Sequence, residues 1–157
     1  MKLKELKNLR LIEQFITEDN ELWERVSEDG NKKENFKLSE NPYFWWVGCF
    51  NKKGVLVGLF WLHHINNASV QIHAHVKKEF REEYSVKCGK EMIKYFVKNF
   101  KFYNKLIAEI PVIYKDVIKF TLKFGFKFEG TNRKSVLKNG ELLDQNRYGL
   151  LKSEVKL

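Results

Sequence analysis

The sequence is poor in cysteine and in long apolar runs, and each scarcity excludes a class of protein. Among 157 residues there are only two cysteines, Cys49 and Cys88, which have neither CxxC spacing nor the density of a secreted disulfide scaffold. The longest uncharged apolar stretches, residues 43–50 and 55–62, have eight residues each, whereas a membrane-spanning helix needs about 20. We therefore expect reduced thiols and no membrane span.

Proline is also scarce, and the chain shows no sign of a division into domains. Its two prolines stand alone at positions 42 and 111, and we find no internal repeat, low-complexity segment or linker. Residues 1–7 alternate lysine, leucine and glutamate, without the apolar core and cleavage site of a secretory signal. The chain is 43% apolar, which is enough for a real core. We expect one cytoplasmic domain over residues 1–157.

Arginine is rare among the basic residues, and this limits what the positive charge implies. The net charge is +9, and residues 41–157 carry 21 basic against 10 acidic side chains, a field that attracts anions such as nucleic acid or a phosphorylated cofactor. However, 24 of the 29 basic residues are lysine, whereas bidentate recognition of bases and phosphates favours arginine. We do not expect a nucleic-acid partner, and a basic nucleic-acid-binding module is kept as the second alternative function.

The hydrophobic pattern predicts a mixture of helices and strands. An amphipathic helical part over residues 1–40 precedes three strand-like runs that form an antiparallel meander. A lysine-striped helix over 85–100, a short buried strand, a second helix and an Asn139-Gly140 hairpin complete the chain. The strand–helix–strand unit near the end requires a partly parallel sheet. The expected strands are 43–50, 55–63, 69–76, 106–110, 127–137 and 141–151, and the last helix is 115–124.

This order of elements, together with particular residues, resembles the GNAT superfamily of acetyl-coenzyme A dependent N-acetyltransferases. Residues 110–130 read IPVIYKDVIKFTLKFGFKFEG and are similar to the family's strand–helix segment ending in K-x-G-F and E-G. A second match is QIHAHV at residues 71–76, followed by KKEFR at 77–81. Residues 17–30 further resemble a branch of the superfamily that bacteriophages encode, which would place the protein in the host cytoplasm.

The resemblance implies a fold and an activity. The fold would be the α/β (α+β) GNAT fold, a mixed, mostly antiparallel sheet that splays between the strands near 69–76 and 106–110 and is flanked by helices. Its helical part would be 1–40 and its core 43–150. The activity would be direct transfer from acetyl-CoA, the cosubstrate, to a primary amine of a protein or small molecule, with a homodimer left open. The alternative is a catalytically degenerate phage, virion or host-interaction protein of the same fold.

The resemblance also implies where the cosubstrate would bind, although the chain departs from the family there. Relatives bind pyrophosphate on a Q/R-x-x-G-x-G/A loop at the start of a helix, where unpaired N–H groups favour anions. Here Tyr84 and Val86 stand where a motif beginning at Arg81 has its glycines, and the helix phase predicts a shorter loop that ends with Ser85 as helix cap. The predicted cosubstrate-binding residues are Val76, whose N–H would meet the thioester oxygen, Arg81, Glu82, Glu83, Tyr84, Ser85, Val86 and Lys87.

Four residues are candidates for the chemistry, because amine acetylation needs an unprotonated nucleophile and a proton for the leaving thiolate. His73 and His75 project from one face of their strand and would act as base or as a substrate-positioning pair; the alternative is packed histidines. Glu109 would be a base if burial raises its pKa, or else an outward-facing strand residue. Thr121 replaces the family's tyrosine acid, so Tyr114 would supply a phenol or merely cap a helix.

A metal site is a further alternative, because all four histidines fall at positions 63, 64, 73 and 75. A strand HxH pattern places two ligands on one face. However, His63 and His64 point in opposite directions, and no cysteine or carboxylate completes a ligand set. We expect no metal.

Overall fold

The structure is a computed structural model that describes residues 1–156. These residues form seven strands, four helices and three short 3-10 turns. The strands are β1 (Lys2–Glu5), β2 (Phe44–Phe50), β3 (Leu56–Asn66), β4 (Ser69–Val76), β5 (Lys105–Pro111), β6 (Lys127–Lys138) and β7 (Glu141–Leu151). The helices are α1 (Leu9–Glu18), α2 (Asn20–Val26), α3 (Arg81–Asn99) and α4 (Lys115–Lys123).

All seven strands lie in one mixed sheet in the order β1-β2-β3-β4-β5-β7-β6. In the described part of the chain only β4 and β5 pair in parallel, and α3 connects them; every other neighbouring pair is antiparallel. The hairpin between β6 and β7 turns at Asn139 and Gly140, both with positive φ, as the sequence predicts. This confirms the predicted fold class.

The first strand corrects the predicted helical start of the chain. Residues 2–5 pair antiparallel with β2, from Lys2 opposite Phe50 to Glu5 opposite Val47. Lysine, leucine and glutamate have good helix propensity, but Leu3 packs against the sheet's core and the backbone bonds to an otherwise open sheet edge. Tertiary pairing therefore overrides local propensity, and the helices begin only at Leu9.

Two apolar cores lie on opposite faces of the sheet. The larger one packs α3, through side chains such as Cys88, Met92 and Phe96, against β2 to β5 and β7. The smaller one packs α1 and α2 against Trp46 and Leu59. In the last helix, Leu122 is half exposed, whereas Thr121 is buried. The smaller core places α1 and α2 over the face that carries His73 and His75.

The start of α3 corrects a second prediction. A 3-10 turn over Lys78–Phe80 leads directly into the helix at Arg81, so Arg81 to Ser85 form its first turns and not a loop. Ser85 lies within the helix and does not cap it; Phe80 is the cap residue and offers no side-chain hydrogen bond. Because this segment has no glycine, nothing in its sequence requires the wider loop of the family pattern.

The tip of the β6–β7 hairpin is fastened to the end of α2. Lys138 is buried, and its ammonium group donates to the backbone carbonyls of Glu24 and Ser27. Carbonyls at a helix C-terminus lack helical partners and attract cations, which explains why a lysine is tolerated there. Asp29 Oδ2 also accepts from the N–H of Gly140 at 2.6 Å. Within residues 1–156, no helix is long and apolar enough to cross a membrane.

Candidate functional site

The candidate site is built around the splay of β4 from β5. The two strands pair at only three positions, from Ser69 opposite Lys105 to Gln71 opposite Ile107, and then diverge. β5 continues beside β7 as far as Pro111, and β4 continues beside β3 as far as Val76. The facing backbone edges of residues 72–76 and 108–111 are therefore not joined by strand pairing. A gap lined by backbone polar groups at this point suits an extended ligand.

A row of stacked rings covers one face of the sheet beside the splay. The strand registers set Trp46 opposite Trp61 and Trp61 opposite His73, and the three rings stack, with centroids 5.5 Å and 4.5 Å apart. His63 stacks on His73 at 5.4 Å. Burial lowers the pKa of His73 to about 3, and the neighbouring His75 and His63 add to the shift. His73 is therefore neutral and held by packing.

His75 lies on the same face, one residue pair further into the splay, and its surroundings differ. Its side chain is only 7% exposed, and its Nδ1 has no hydrogen-bond partner. Burial lowers the pKa of His75 to about 4, so the ring is neutral at pH 7. A buried polar atom without a partner costs about 1–3 kcal/mol, and such atoms often mark positions where a ligand or reacting group completes the bonding.

Glu109 faces the splay from β5, but it is engaged by an arginine. Arg147 on β7 stands opposite in register and donates to Oε1 of Glu109 from Nε at 2.9 Å and from Nη2 at 2.6 Å. The Glu109 side chain is 16% exposed. Arg147 thus already occupies one oxygen of the Glu109 carboxylate, whereas the sequence-based hypothesis assumed a buried carboxylate without a partner.

Tyr114 lies at the N-terminus of α4, where the sequence allowed either a phenol donor or a helix cap. Its carbonyl accepts from the N–H of Ile118 at 3.0 Å, and its ring packs against the larger core. Arg25 of α2 lies over the ring, 5.4 Å from its centroid. Burial raises the pKa of Tyr114, so the hydroxyl keeps its proton near neutral pH. Thr121, which replaces the family's tyrosine, is buried.

Arg81, the first residue of the predicted pyrophosphate segment, is held by other parts of the protein. Its Nε donates to the carbonyl of Val76 at 3.0 Å, and its guanidinium pairs with Glu21 of α2. Lys78 pairs with the other oxygen of Glu21 at 3.2 Å. The hydrogen bond from Arg81 and then that from Lys78 hold the pKa of Glu21 below its usual value. An internal carboxylate thus sits on the two cations nearest to the start of α3.

The remaining predicted cosubstrate-binding residues occupy the first two turns of α3. Glu82 and Glu83 are exposed, and Glu83 pairs with Lys87 at 3.7 Å. Lys87 also lies over the Tyr84 ring at 5.2 Å, while Ser85 and Val86 are half buried. The structure thus gathers the whole segment at one end of the splay, with Arg81, Glu83 and Lys87 already in ion pairs.

Sequence reasoning missed the acidic junction between α1 and α2. Asp19 caps α2 through the N–H of Leu22 at 3.0 Å and also accepts from the N–H of Lys78 at 3.0 Å. Burial alone would raise the pKa of Asp19, but these backbone bonds outweigh it and the pKa lies below its ordinary value. Lys77 pairs with Glu18 at 3.2 Å. The available signal was charge: residues 18–29 hold six acidic side chains and one arginine in a chain of net +9.

A cleft of about 480 Å³ opens between α2, the start of α4 and the β6–β7 hairpin tip. Glu21, whose carboxylate pairs with Lys78 and Arg81 at the start of α3, and Tyr114 line it. Its other acidic lining residues are Glu24, Glu28 and Asp29. Arg25 lies between them and pairs with Asp116 at 2.7 Å. The lining thus carries four carboxylates against two cations, Arg25 and Lys138.

The histidines do not form a metal centre in the described part of the chain. No group of three or more histidine, cysteine, aspartate or glutamate side chains is placed to hold an ion among residues 1–156. His64 lies on the opposite face of β3 from His63 and contacts the hydroxyl of Tyr103 through Nδ1 at 2.9 Å. The stacked imidazoles therefore pack against aromatic rings.

Comparisons with known proteins support the fold strongly. The spermidine N-acetyltransferase from Vibrio cholerae, solved in complex with CoA and spermine, superposes with a TM-score of 0.79 at 17% identity, over 98% of this chain and 96% of that one. A protein described as a probable acetyltransferase gives 0.70 at 21% identity, over 92% and 87%. At such identities the likeness establishes the GNAT fold alone.

The sequence comparisons place the chain in a family. No curated protein matches the sequence significantly. A family model described as "Protein of unknown function (DUF2824)" matches residues 2–118, which include the sheet up to β5 and the first turn of α4. On that match and this architecture, the chain is a GNAT-fold protein and belongs to the DUF2824 family.

Proposed function

We propose that this protein is an acetyl-CoA-dependent N-acetyltransferase that acts on a primary amine by direct transfer. The observation that carries the proposal is the splay of β4 from β5 beside the buried, unpartnered Nδ1 of His75. A strand gap supplies backbone donors and acceptors for an extended cosubstrate, and an unpartnered imidazole nitrogen supplies a hydrogen-bond acceptor for an incoming amine. Bound acetyl-CoA would contribute the activated acetyl group.

The residues at one end of the splay fit a phosphate-bearing ligand. Lys78 and Arg81 are two cations next to the first turn of α3, at the positive end of the helix dipole. Lys87 follows one turn and a half later on the same helix. The N–H of Val76, at the end of β4, is our candidate donor to the thioester oxygen.

His75 is our choice for the residue that receives the amine. At pH 7 it is neutral, and its free Nδ1 can accept a hydrogen bond from an incoming N–H. With a pKa of about 4 it cannot remove a proton fully from an alkylammonium group, so its first role is to orient the unprotonated amine. His73, whose ring is stacked between Trp61 and His63, is a positioning residue in this scheme.

The other two candidates take supporting roles. Tyr114 keeps its proton because burial raises its pKa, so its hydroxyl is our candidate donor to the thiolate that leaves as the C–S bond breaks. The proton that the amine nitrogen loses as the amide forms passes to solvent, and solvent returns a proton to Tyr114. Glu109 is held by two hydrogen bonds from Arg147 and fixes the β5–β7 side of the gap. We propose that it positions the wall of the site and does not exchange protons.

The acidic cleft favours a cationic acceptor. Glu24, Glu28 and Asp29 line it, and their negative charges attract an ammonium group. The solved spermidine N-acetyltransferase was crystallised with spermine, a polyamine, which makes small polyamines the first acceptors to assay. Lysine and N-terminal amines of proteins, in particular phage or host proteins, remain in the proposal as acceptors.

A second candidate function is favoured by the paired charges at α3. The segment that begins at Arg81 lacks glycine, and Glu21 already neutralises Arg81 and Lys78. A protein that has lost cosubstrate binding would keep the fold and serve as a phage virion or host-interaction protein. Whether the chain acts as a homodimer stays a prediction under either function.

Calorimetric titration with acetyl-CoA, CoA and dephospho-CoA tests the proposal. Saturable binding of acetyl-CoA is the expected result, followed by release of free thiol when polyamines or amine-bearing peptides are added. The absence of binding at millimolar ligand would overturn it in favour of the second candidate. A matched control is His64→Gln, which alters a histidine on the opposite sheet face and should leave binding and turnover unchanged.

A further inference from the structure

Glu21 lies between the cations at the start of α3, which attract anions, and the acidic cleft beside α2, which attracts cations. One of its carboxylate oxygens pairs with Arg81 and the other lies 3.2 Å from Lys78, at the start of α3. The same side chain lines the acidic cleft beside α2. Glu21 is one third exposed, as is Arg81, so neither group is locked in a dry interior. The carboxylate can move between the two regions by side-chain rotation.

We propose that Glu21 couples the two substrate sites of the transferase. In the free protein its carboxylate occupies Lys78 and Arg81, and a phosphate-bearing cosubstrate that takes these two cations releases Glu21 to the cleft, where it attracts a cationic amine. This inference rests on the proposed function. It adds an internal competitor, the Glu21 carboxylate, for the two cations that the cosubstrate would bind.

The charges around Glu21 support an exchange of partners. A phosphate group presents more acceptor oxygens and more charge than one carboxylate, so it competes well for an arginine and a lysine. Arg81 keeps its bond to the carbonyl of Val76 throughout, which holds the guanidinium in place when Glu21 leaves. Arg25 lies 3.5 Å from Glu21 and already has Asp116 as a closer partner at 2.7 Å.

The coupling has a thermodynamic consequence. If cosubstrate binding makes Glu21 available to an amine, then the amine must strengthen cosubstrate binding by the same factor. Removal of the Glu21 charge should have opposite effects on the two ligands: the anion gains free cations, and the amine loses an attractive group. No residue that serves only to pack α2 would produce this pair of effects.

The first experiment measures CoA binding by calorimetry at low ionic strength for the wild type, Glu21→Gln and Glu24→Gln. Glu24 lies on the same helix and lines the same cleft, and the structure gives it no ion pair, so it is the matched control. We expect Glu21→Gln to bind CoA about three- to tenfold tighter, since exposed ion pairs are weak, and Glu24→Gln to bind within about twofold of wild type. Thermal unfolding without ligand checks that each variant is folded.

The outcomes separate the coupling from the proposed function. Equal or weaker CoA binding by folded Glu21→Gln overturns the coupling and leaves the transferase proposal intact. If Glu21→Gln binds CoA and the other two proteins do not, the result supports a cosubstrate site that the Glu21 carboxylate blocks. No binding by any of the three proteins overturns the cosubstrate site and the coupling with it. Glu21→Asp, which keeps the charge on a shorter side chain, should give an intermediate affinity and guards against an effect specific to glutamine.

The second experiment tests the reciprocal effect with 1,4-diaminobutane as the cationic probe. In the wild type, the diamine should tighten CoA binding by about two- to fivefold, the size expected when one partly exposed charge pair is added. The effect should vanish in Glu21→Gln. The uncharged analogue 1,4-butanediol is the control and should have no effect. A diamine effect of the same size in Glu21→Gln would show that another group couples the sites, and the proposal would be wrong.

Discussion

His73 stacks on the indole of Trp61, with ring centroids 4.5 Å apart and planes inclined by 20°. The other contacts of the ring are His63, stacked at 5.4 Å, and the amide of Gln71, whose Nε2 lies 3.4 Å from His73 Nε2. A ring covered in this way gains packing energy and has little freedom to approach a substrate. The stacking of His73 therefore distinguishes it from His75, although the two look equivalent in the sequence. Of the two, His75 is the one whose Nδ1 has no hydrogen-bond partner among the described residues.

The buried histidines make stability depend on pH. The pKa values of His73 and His75 are about 3 and about 4 in the folded protein, whereas an unfolded histidine titrates near 6.5. Below pH 6.5 the unfolded chain therefore binds more protons than the folded protein. The stability that the two neutral histidines contribute is complete above pH 6.5 and is lost as the pH falls towards 4. We expect the free energy of unfolding to fall by about 2 kcal/mol per histidine between pH 7 and pH 5.

Urea unfolding at pH 7, 6 and 5 measures this loss. His75→Leu should show a shallower fall than the wild type by about the contribution of one histidine, and His64→Gln on the opposite face should follow the wild type. Identical slopes for His75→Leu and the wild type would contradict the predicted burial of a neutral imidazole.

His75→Leu should also separate stability from activity. Leucine has a similar volume and removes the unpartnered Nδ1, so the variant should be about 1 kcal/mol more stable at pH 7. If His75 orients the amine, the same variant should lose at least about 100-fold in the rate of acetyl transfer while its affinity for CoA stays unchanged. Thiol-release kinetics and calorimetry measure the two quantities. A stable variant with full activity would remove His75 from the mechanism.

Glu109→Gln tests whether this carboxylate exchanges protons. Glutamine keeps an oxygen for Arg147 but loses the charge, so a positioning role predicts a modest loss of turnover, about threefold to tenfold, with an unchanged pH profile. A base role predicts a much larger loss and the disappearance of one limb of the profile. Rates measured between pH 6 and pH 9 decide between them, and Arg147→Lys serves as the companion variant because it keeps the charge but not the paired donors.

Lys138→Met should loosen the hairpin tip from α2. The variant removes the hydrogen bonds to the carbonyls of Glu24 and Ser27 and leaves these acceptors inside a buried contact, at an expected cost of about 2 kcal/mol. Urea unfolding measures the loss. Lys119→Met on the exposed face of α4 is the control and should change stability by less than about 0.5 kcal/mol. An equal effect of the two substitutions would contradict a specific role for Lys138.

The sequence predicted the elements whose signals are local. Alternating apolar residues marked the strands, the lysine stripe marked α3, and Asn139-Gly140 marked the final turn, which has the required positive φ at both residues. It did not predict β1, because Leu3 and its neighbours become a strand only through pairing with β2. The helix start at Arg81 was missed for a related reason: a shortened loop over residues 81–85 was expected, whereas the chain makes a 3-10 turn over Lys78–Phe80 and enters the helix at Arg81.

In the candidate site too, the sequence predicted the local features and missed the long-range contacts. Strand alternation correctly placed His73 and His75 on one face, but only the structure shows that one is stacked and the other has a free nitrogen. The partners of Arg81 and Glu109 lie 60 and 38 residues away along the chain, and no local pattern announces such pairs. Long-range ion pairs depend on the folded arrangement, so sequence periodicity does not predict them.

The position of β7 has a consequence for the order in which a nascent chain can fold. β5 contacts β4 at three residue pairs but β7 at seven, and β7 follows it by some 30 residues. Until those residues leave the ribosome, the largely apolar β5 is an open sheet edge with few partners, a state that favours association with other chains. Slowed translation between residues 111 and 141, or truncation there, should therefore yield aggregates or chaperone-bound chains, although the meander of β2, β3 and β4 is already complete.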